Sequence, residues 1–356
     1  MKYNSKWFNK KYEIYRFIIR GASCQYAKID SFKVVVFSKI ICYIYIADKN
    51  NYKIAEKRGK NMGDYILSCC STADLTKEHF EKREIKYVCF HFELDGTEYF
   101  DDLGESVSAD ELYTAMAGGA ETKTSQVSVG EYIEHFSKYL KEGKDIIHVT
   151  LSSGISGTYT SACIARGELK ERFPGRKIYI VDSLGASSGY GLIMDKIVDL
   201  RDSGMTIDVL YQWIEENKLN MHHWFFSTDL KFYIKGGRIS KTAGFVGTAL
   251  NICPLLNMNN SGHLVSNEKI RTKKKVIKRI VEKMEEHAEE GLAYSGKCYL
   301  SQSACYEDAK AVAELVEKRF PKLDGKVEIF NIGATIGGHT GPGTIALYFW
   351  GDKRIN

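Results

Sequence analysis

Residues 146–183 read IIHVTLSSGISGTYTSACIARGELKERFPGRKIYIVDS, and their pattern decides the fold. An apolar run at 146–151 gives way to small polar residues. Positions 158–172 then repeat apolar residues at helical spacing, and a second apolar run follows at 178–182. Strand, helix and strand in that order form the unit of a parallel sheet, because a crossover helix returns the chain to the end where a parallel neighbour must start.

The alternation extends upstream. Runs at 65–69 and 87–92 read as strands, with helical patterns at 76–83, 110–117 and 130–142. Three strands end in small polar residues, at 68–72, 152–158 and 183–189, and the carboxyl ends of parallel strands are where such sheets bind ligands. Downstream the order changes. A helical pattern at 207–219 precedes the aromatic run HHWFFSTDL at 222–230. Strands are expected at 224–227, 297–301, 327–332 and 344–350, and helices at 272–290 and 307–320, the first with Val276, Ile280, Val281 and Met284 on one face. The expected fold class is therefore α/β in two domains: a parallel-sheet, Rossmann-like domain over 62–216 and an α+β domain over 217–356.

With 356 residues, 44% of them hydrophobic and 27% charged, the chain has the composition of a globular protein with a sizeable core. Its net charge of +5 conceals an asymmetry. Residues 1–61 hold 14 Lys and Arg against 4 Asp and Glu, whereas the remainder holds 36 against 41. The bulk is mildly acidic, which argues against nucleic acid as a partner. Phe, Ile, Lys, Asn and Tyr, all spelled by AT-rich codons, make up 36 of the first 61 residues. The expectation is that 1–61 is an atypical basic extension and that Met62 is the native start. The apolar run at 34–47 is shorter than the roughly 20 residues a spanning helix needs, and it contains Lys39, so no stable membrane insertion is expected. The nine cysteines include no C-x-x-C pair and no His at metal spacing, which points to a reducing cytoplasm and to no metal site.

Two hydroxyl clusters stand out, Thr122-Lys123-Thr124-Ser125-Gln126 and Ser152-Ser153-Gly154-Ile155-Ser156-Gly157-Thr158-Tyr159. The second follows a strand and opens a helix, so its free N–H groups and the helix dipole suit an anion, with Gly154 and Gly157 expected to let that anion approach the backbone. Thr124, Ser125, Ser153 and Ser156 are the candidates to complete its hydrogen bonding. Serine and threonine at such places also serve simply as caps.

These segments join CSTADL (70–75), VDS (181–183), KGGRIS (235–240) and GGHTGPG (337–343) in an ordered set that resembles the DegV family of bacterial fatty acid-binding proteins. The resemblance covers about residues 65–348. It implies a cytoplasmic two-domain carrier, without enzymatic activity or cofactor of its own, that buries one long-chain fatty acid between its domains. It further implies a partner resembling dihydroxyacetone kinase that makes an acyl phosphate from ATP, a step toward phospholipid synthesis. By that resemblance Thr124 and Ser156 hold the carboxylate with Ser125 and Ser153 as neighbours, and Arg238 and His339 serve phosphoryl transfer. The apolar stretch GFVGTALNICPLL (244–256) is expected to line the lipid tunnel through Phe245, Val246, Leu250 and Ile252. Two positions depart from the family pattern: Cys70 stands for the usual Asp, and Val127 for the Pro that commonly follows TSQ.

A different class of protein, a serine hydrolase with Ser187 as nucleophile, is suggested by Gly185-Ala186-Ser187-Ser188-Gly189, which satisfies G-x-S-x-G. In a nucleophile elbow the serine sits at a sharp strand-to-helix turn, whereas here Asp182, Ser183 and Leu184 come between the apolar run and the motif. No P-loop is present, and the glycine-rich pieces lack the strand-turn-helix context of a dinucleotide site.

Overall fold

A computed structural model of the chain describes residues 65–239 and 252–355. The first part runs β1 (Tyr65–Cys70), α1 (Lys77–Lys82), β2 (Ile85–Val88), β3 (His91–Leu94), β4 (Thr97–Phe100), α2 (Ala109–Ala117), β5 (Thr122–Ser125) and α3 (Val129–Lys141). There follow β6 (Asp145–Thr150), α4 (Thr158–Arg172), β7 (Ile178–Asp182), α5 (Ser187–Asp202) and α6 (Ile207–Asn217). The rest comprises β8 (Met221–Ser227), α7 (Lys231–Lys235), β9 (Ile252–Met258), β10 (Leu264–Arg271), α8 (Lys273–His287), β11 (Tyr299–Gln302), α9 (Tyr306–Arg319), β12 (Glu328–Asn331), α10 (Ala334–Thr340) and β13 (Thr344–Trp350).

Strands β2-β1-β6-β7 form a parallel sheet in that order. Ile146 through Thr150 of the inner strand β6 are all buried because helices cover both faces. The helix α3 shows how sequence sets such cover. Ser128 and Glu131 close a capping box at its start, and Tyr132, Phe136, Tyr139 and Leu140 then recur on one buried face.

The C-terminal α+β region is built on a six-stranded sheet, β10-β9-β8-β13-β11-β12, antiparallel except at β11-β12. Its two central strands are apolar on both faces, and strand alternation sorts them. Trp224, Phe226, Ile345, Leu347 and Phe349 pack with Val276 and Ile280 of α8 and Val312 of α9. Met221, Phe225, Ala346 and Tyr348 point the other way and join the core of the parallel-sheet region. A third sheet, β4-β3-β5, is antiparallel and packs Phe92 with Leu112, Tyr113, Met116 and Ala334.

Four readings of the sequence change. The run at 87–92 is not one strand but the end of β2 and the start of β3. The small residues at 183–189 are only partly a loop, since α5 begins at Ser187. No helix is expected around GGHTGPG, yet His339 and Thr340 close α10. The hairpin β9-β10 is absent from the expected strands, because its inner strand holds Pro254. That proline is tolerated where β9 has run past β8, whose pairing covers only Leu255 to Asn257. Of the tunnel candidates, Phe245, Val246 and Leu250 lie outside the described residues, as do residues 1–64.

Candidate functional site

A cavity of about 380 Å³ lies between the parallel-sheet region and the inner face of the six-stranded sheet. That is within the usual size of small-molecule sites, roughly 300–1,000 Å³. Its body is apolar, with Phe90, Leu151, Phe225, Met258, Ile332 and Ala346 in the wall. Thr124, Ser125, Ser156, Arg238, His339 and Thr340 line it as well, so the structure gathers five of the six polar candidates around one space. Ser153 is not among the lining residues; it is exposed, and its N–H donates to Asp182 Oδ1 at 3.1 Å. Ile252 is not among them either. It opens β9, half-buried, opposite Arg271, at the far end of the strand from the cavity-lining Met258.

The polar end is assembled from three elements. β5 carries Thr124 and Ser125 and is held to β3 by the pairs Phe92–Thr124 and His91–Ser125. α10 brings His339, whose Nε2 lies 2.7 Å from Thr124 Oγ1. Burial holds the His339 imidazole well down, at a pKa of about 4, with the nearby Arg238 charge adding to the effect, so it is neutral at pH 7. Arg238 follows α7; burial lowers its pKa, and its Nη1 donates to the Gly236 carbonyl at 2.5 Å. The two glycines before it have different reasons. A Cβ on Gly236 would overlap His339 Nδ1, whereas Gly237 has a φ of +70°.

The loop between β6 and α4 puts Ile155, Ser156 and Gly157 in the cavity wall. A Cβ on Gly154 would lie 2.5 Å from the Gly262 carbonyl oxygen, and one on Gly157 would lie 2.6 Å from Gln126 Oε1. Gly154 thus makes room for the Gly262 carbonyl, a contact that Ser152 Oγ secures by donating to Gly262 O at 2.9 Å, while Gly157 leaves room for the Gln126 side chain. Ser156 lines the cavity while its Oγ accepts from the Thr158 N–H at 3.2 Å, so it is a local cap and a wall residue together.

Cys70 is fully buried behind this loop, 3.2 Å from Tyr132 Oη, which in turn bonds Thr158 Oγ1 at 2.6 Å. Burial pushes its thiol up to about 11, so the group is an uncharged packing element. Asp74, from the same CSTADL segment, has the more consequential place. It is buried beside Asp101 and accepts a hydrogen bond from Ser187 Oγ. Burial first and the Asp101 charge second raise its carboxyl well above the usual range. Ser187 lines the cavity with a φ of +54°, but its hydroxyl partners are Asp74 and Ser301, not a histidine. The serine of G-x-S-x-G is thus paired with a carboxyl group and a hydroxyl rather than with the histidine of a Ser-His pair.

One cluster outside the cavity has metal-ligand composition. Ring atoms of His222 and His287 and an oxygen of Asp352 lie within 4.8 Å of one another. Trp224 Nε1–H donates to His222 Nδ1 at 3.3 Å, so the neutral imidazole carries its proton on Nε2 and gives it to Asp352. The nitrogen that would ligate is already protonated, and the cluster is accounted for by hydrogen bonding. Among the described residues, no helix is long and apolar enough to cross a membrane.

Fold and site together define an α/β protein with a mostly apolar cavity that polar side chains also line. Residues 70–351 match the family model described as "Uncharacterised protein, DegV family", and the chain belongs to the DegV family. It is 35% identical over 293 residues to a DegV domain-containing protein of Clostridium perfringens, covering 82% of this chain and 99% of that one. A Thermotoga maritima protein named as a fatty acid-binding protein is 32% identical over 283 residues, 78% of this chain and 94% of its own. Among solved structures, a fatty acid-binding DegV family protein from Thermus thermophilus superposes with a TM-score of 0.73 at 25% identity, covering 81% of this chain and 100% of its own.

Proposed function

We propose that this protein binds a long-chain fatty acid in the cavity and presents its carboxylate to a separate kinase resembling dihydroxyacetone kinase. The observation that carries the reading is a largely apolar cavity whose wall also gathers hydroxyls, a guanidinium and an imidazole, with Thr124 and His339 in contact. Burying about 14 methylenes contributes roughly 11 kcal/mol at ~0.8 kcal/mol each, before the costs of binding, so the apolar wall supplies most of the affinity. A carboxylate taken from water must regain its hydrogen bonds, and Thr124 and Ser156 are assigned that task, with Ser125 beside them at the rim. Ser153, exposed and absent from the cavity wall, is assigned no part in it.

In the kinase step a carboxylate oxygen attacks the γ-phosphorus of ATP; the bond to the β-phosphate oxygen breaks, leaving acyl phosphate and ADP. The kinase supplies ATP and its metal. Arg238 stabilises charge on the transferring phosphoryl oxygens, and neutral His339 donates one hydrogen bond near the same centre. The reading is tested by releasing bound lipid from purified protein and identifying it by mass spectrometry, with an oleate and palmitate binding isotherm on delipidated protein. A stoichiometric fatty acid is expected. Protein that carries none and binds neither probe overturns the reading.

A further inference from the structure

Alternation along the six-stranded sheet shows how far the cavity runs. On β13 the inward residues Thr344, Ala346 and Tyr348 line it, and on β8 so do Phe225 and His223, the partners of Ala346 and Tyr348. Thr344 lies at the α10 end, its Oγ1 3.1 Å from Tyr233 Oη, and Tyr348 is four residues, about 13 Å, further along the strand. The next inward pair, Met221 and Trp350, is not among the lining residues. Met221 is fully buried, and Trp350 packs on Trp213 with ring centres 5.8 Å apart. Along this sheet the space therefore ends at the row of His223 and Tyr348.

That row is held in place. A Cβ on Gly189 of α5 would lie 2.3 Å from His223 Nε2 and 2.6 Å from Tyr348 Cδ1, so both rings rest directly on the helix backbone. Their polar atoms are engaged within the protein. His223 Nδ1–H donates to the Met221 carbonyl at 3.1 Å, its Nε2 accepts from the Ala186 N–H at 3.3 Å, and the Tyr348 hydroxyl is hydrogen-bonded to Ser187 and Ser301. Ser187 in turn donates to the Asp74 carboxyl group. We propose that Tyr348, backed by His223, is the stop that meets the methyl end of the bound acyl chain and so sets the longest chain the protein accepts. The inference rests on the fatty acid reading above and extends it from the head, at Thr124 and His339, to the tail. Ala346, the small residue between Thr344 and Tyr348, leaves the chain room to pass.

The test measures Kd on delipidated protein for a series of straight-chain saturated acids of increasing length. In wild type each added methylene is expected to tighten binding roughly 4-fold until the methyl group meets the stop, after which longer acids bind more weakly. Tyr348→Leu, which keeps an apolar side chain and removes the ring, should move that break to longer acids, whereas Tyr348→Phe, which keeps the ring, should leave it in place. Ala346→Leu fills the path without touching the hydroxyl network and should move the break to shorter acids. A break at the same length in wild type, Tyr348→Leu and Ala346→Leu, or affinity that keeps rising through the whole series in wild type, overturns the proposal. Wild-type protein that binds no member of the series overturns the fatty acid reading itself, and this inference with it.

Discussion

His339 Nε2 and Thr124 Oγ1 stand 2.7 Å apart, joining the last turn of α10 to β5 beside the polar end of the cavity. The neutral imidazole has one proton to place. When Thr124 turns its own hydrogen toward a carboxylate, His339 must donate from Nε2 to the threonine oxygen. Imidazole, hydroxyl and ligand then form one directed chain. Thr124 thereby becomes a better donor than an isolated hydroxyl.

From that chain, Thr124→Ala and Ser156→Ala are each expected to weaken oleate binding by roughly 10- to 150-fold, the loss of a bond to a charged acceptor of about 1.5–3 kcal/mol. Circular dichroism should show an unchanged fold. Wild-type isotherms for both variants would place the carboxylate elsewhere.

Stability should decline in mild acid. Burial holds His135, His222 and His339 at about 4 and His148 and His223 well below 6.5. Between those values and 6.5 only the unfolded chain takes the proton, so their contribution is complete above pH 6.5 and is lost as pH falls toward 4. From pH 7 to pH 5 this amounts to about 2 kcal/mol for each fully buried ring. A urea midpoint that does not fall over this interval would contradict the burial of these rings.

Asp74 has the opposite sign. Its folded carboxyl titrates well above the unfolded value, so the stability it contributes is present at low pH and is lost as pH rises through the folded pKa. Asparagine reproduces the protonated shape and accepts from Ser187. Asp74→Asn should therefore gain melting temperature over wild type at pH 8 and lose that advantage at pH 5. An equal difference at both pH values would mean that Asp74 remains ionised.

Gly262 offers a test of the contact between the hairpin tip and the loop before α4. Its φ is +73°, and an added Cβ would overlap Ser152 Oγ and lie 3.2 Å from Leu184 Cα. Gly143 has nearly the same backbone, φ +75°, with nothing within 4 Å. Gly143→Ala should cost only the left-handed strain of about 1–2 kcal/mol. Gly262→Ala should cost that and a further ~1–3 kcal/mol of overpacking. Equal urea midpoints for the two variants would show that the hairpin tip yields without cost.

Glycines also separate what is legible in the sequence from what is not. β6, α4 and β7 can be read directly because a doubly covered strand is apolar throughout and a surface helix is periodic. α5 is obscured by Gly189 and Gly191, and α10 by Gly337, since glycine locally signals a turn. Here each makes room for a partner distant in sequence: Gly189 for His223 and Tyr348, Gly191 for the Ala73 carbonyl, and Gly337 for Tyr113. Thr124, Ser156, Arg238 and His339 can be singled out because each lies in a motif. The pairing of Ser187 with Asp74 cannot, because residues 113 positions apart meet only in the packed structure.

Binding and turnover should separate at Arg238 and His339. Arg238 donates to Gly236 O and His339 bonds Thr124, so each reaches the polar end from the C-terminal side while the proposed carboxylate clamp lies on β5 and before α4. A guanidinium there acts on phosphoryl oxygens that exist only during transfer, an interaction that leaves the ground-state affinity for fatty acid largely unchanged. Arg238→Ala and His339→Ala are expected to bind oleate within about 10-fold of wild type, ~1.4 kcal/mol or less, yet to lose most acyl-phosphate formation. His339→Ala should show the larger binding loss of the two, because it also releases Thr124. The measurement pairs a lipid isotherm with ATP turnover in the presence of the cognate kinase. Parallel losses in both assays would assign these residues to binding or folding and leave phosphoryl transfer to the kinase alone.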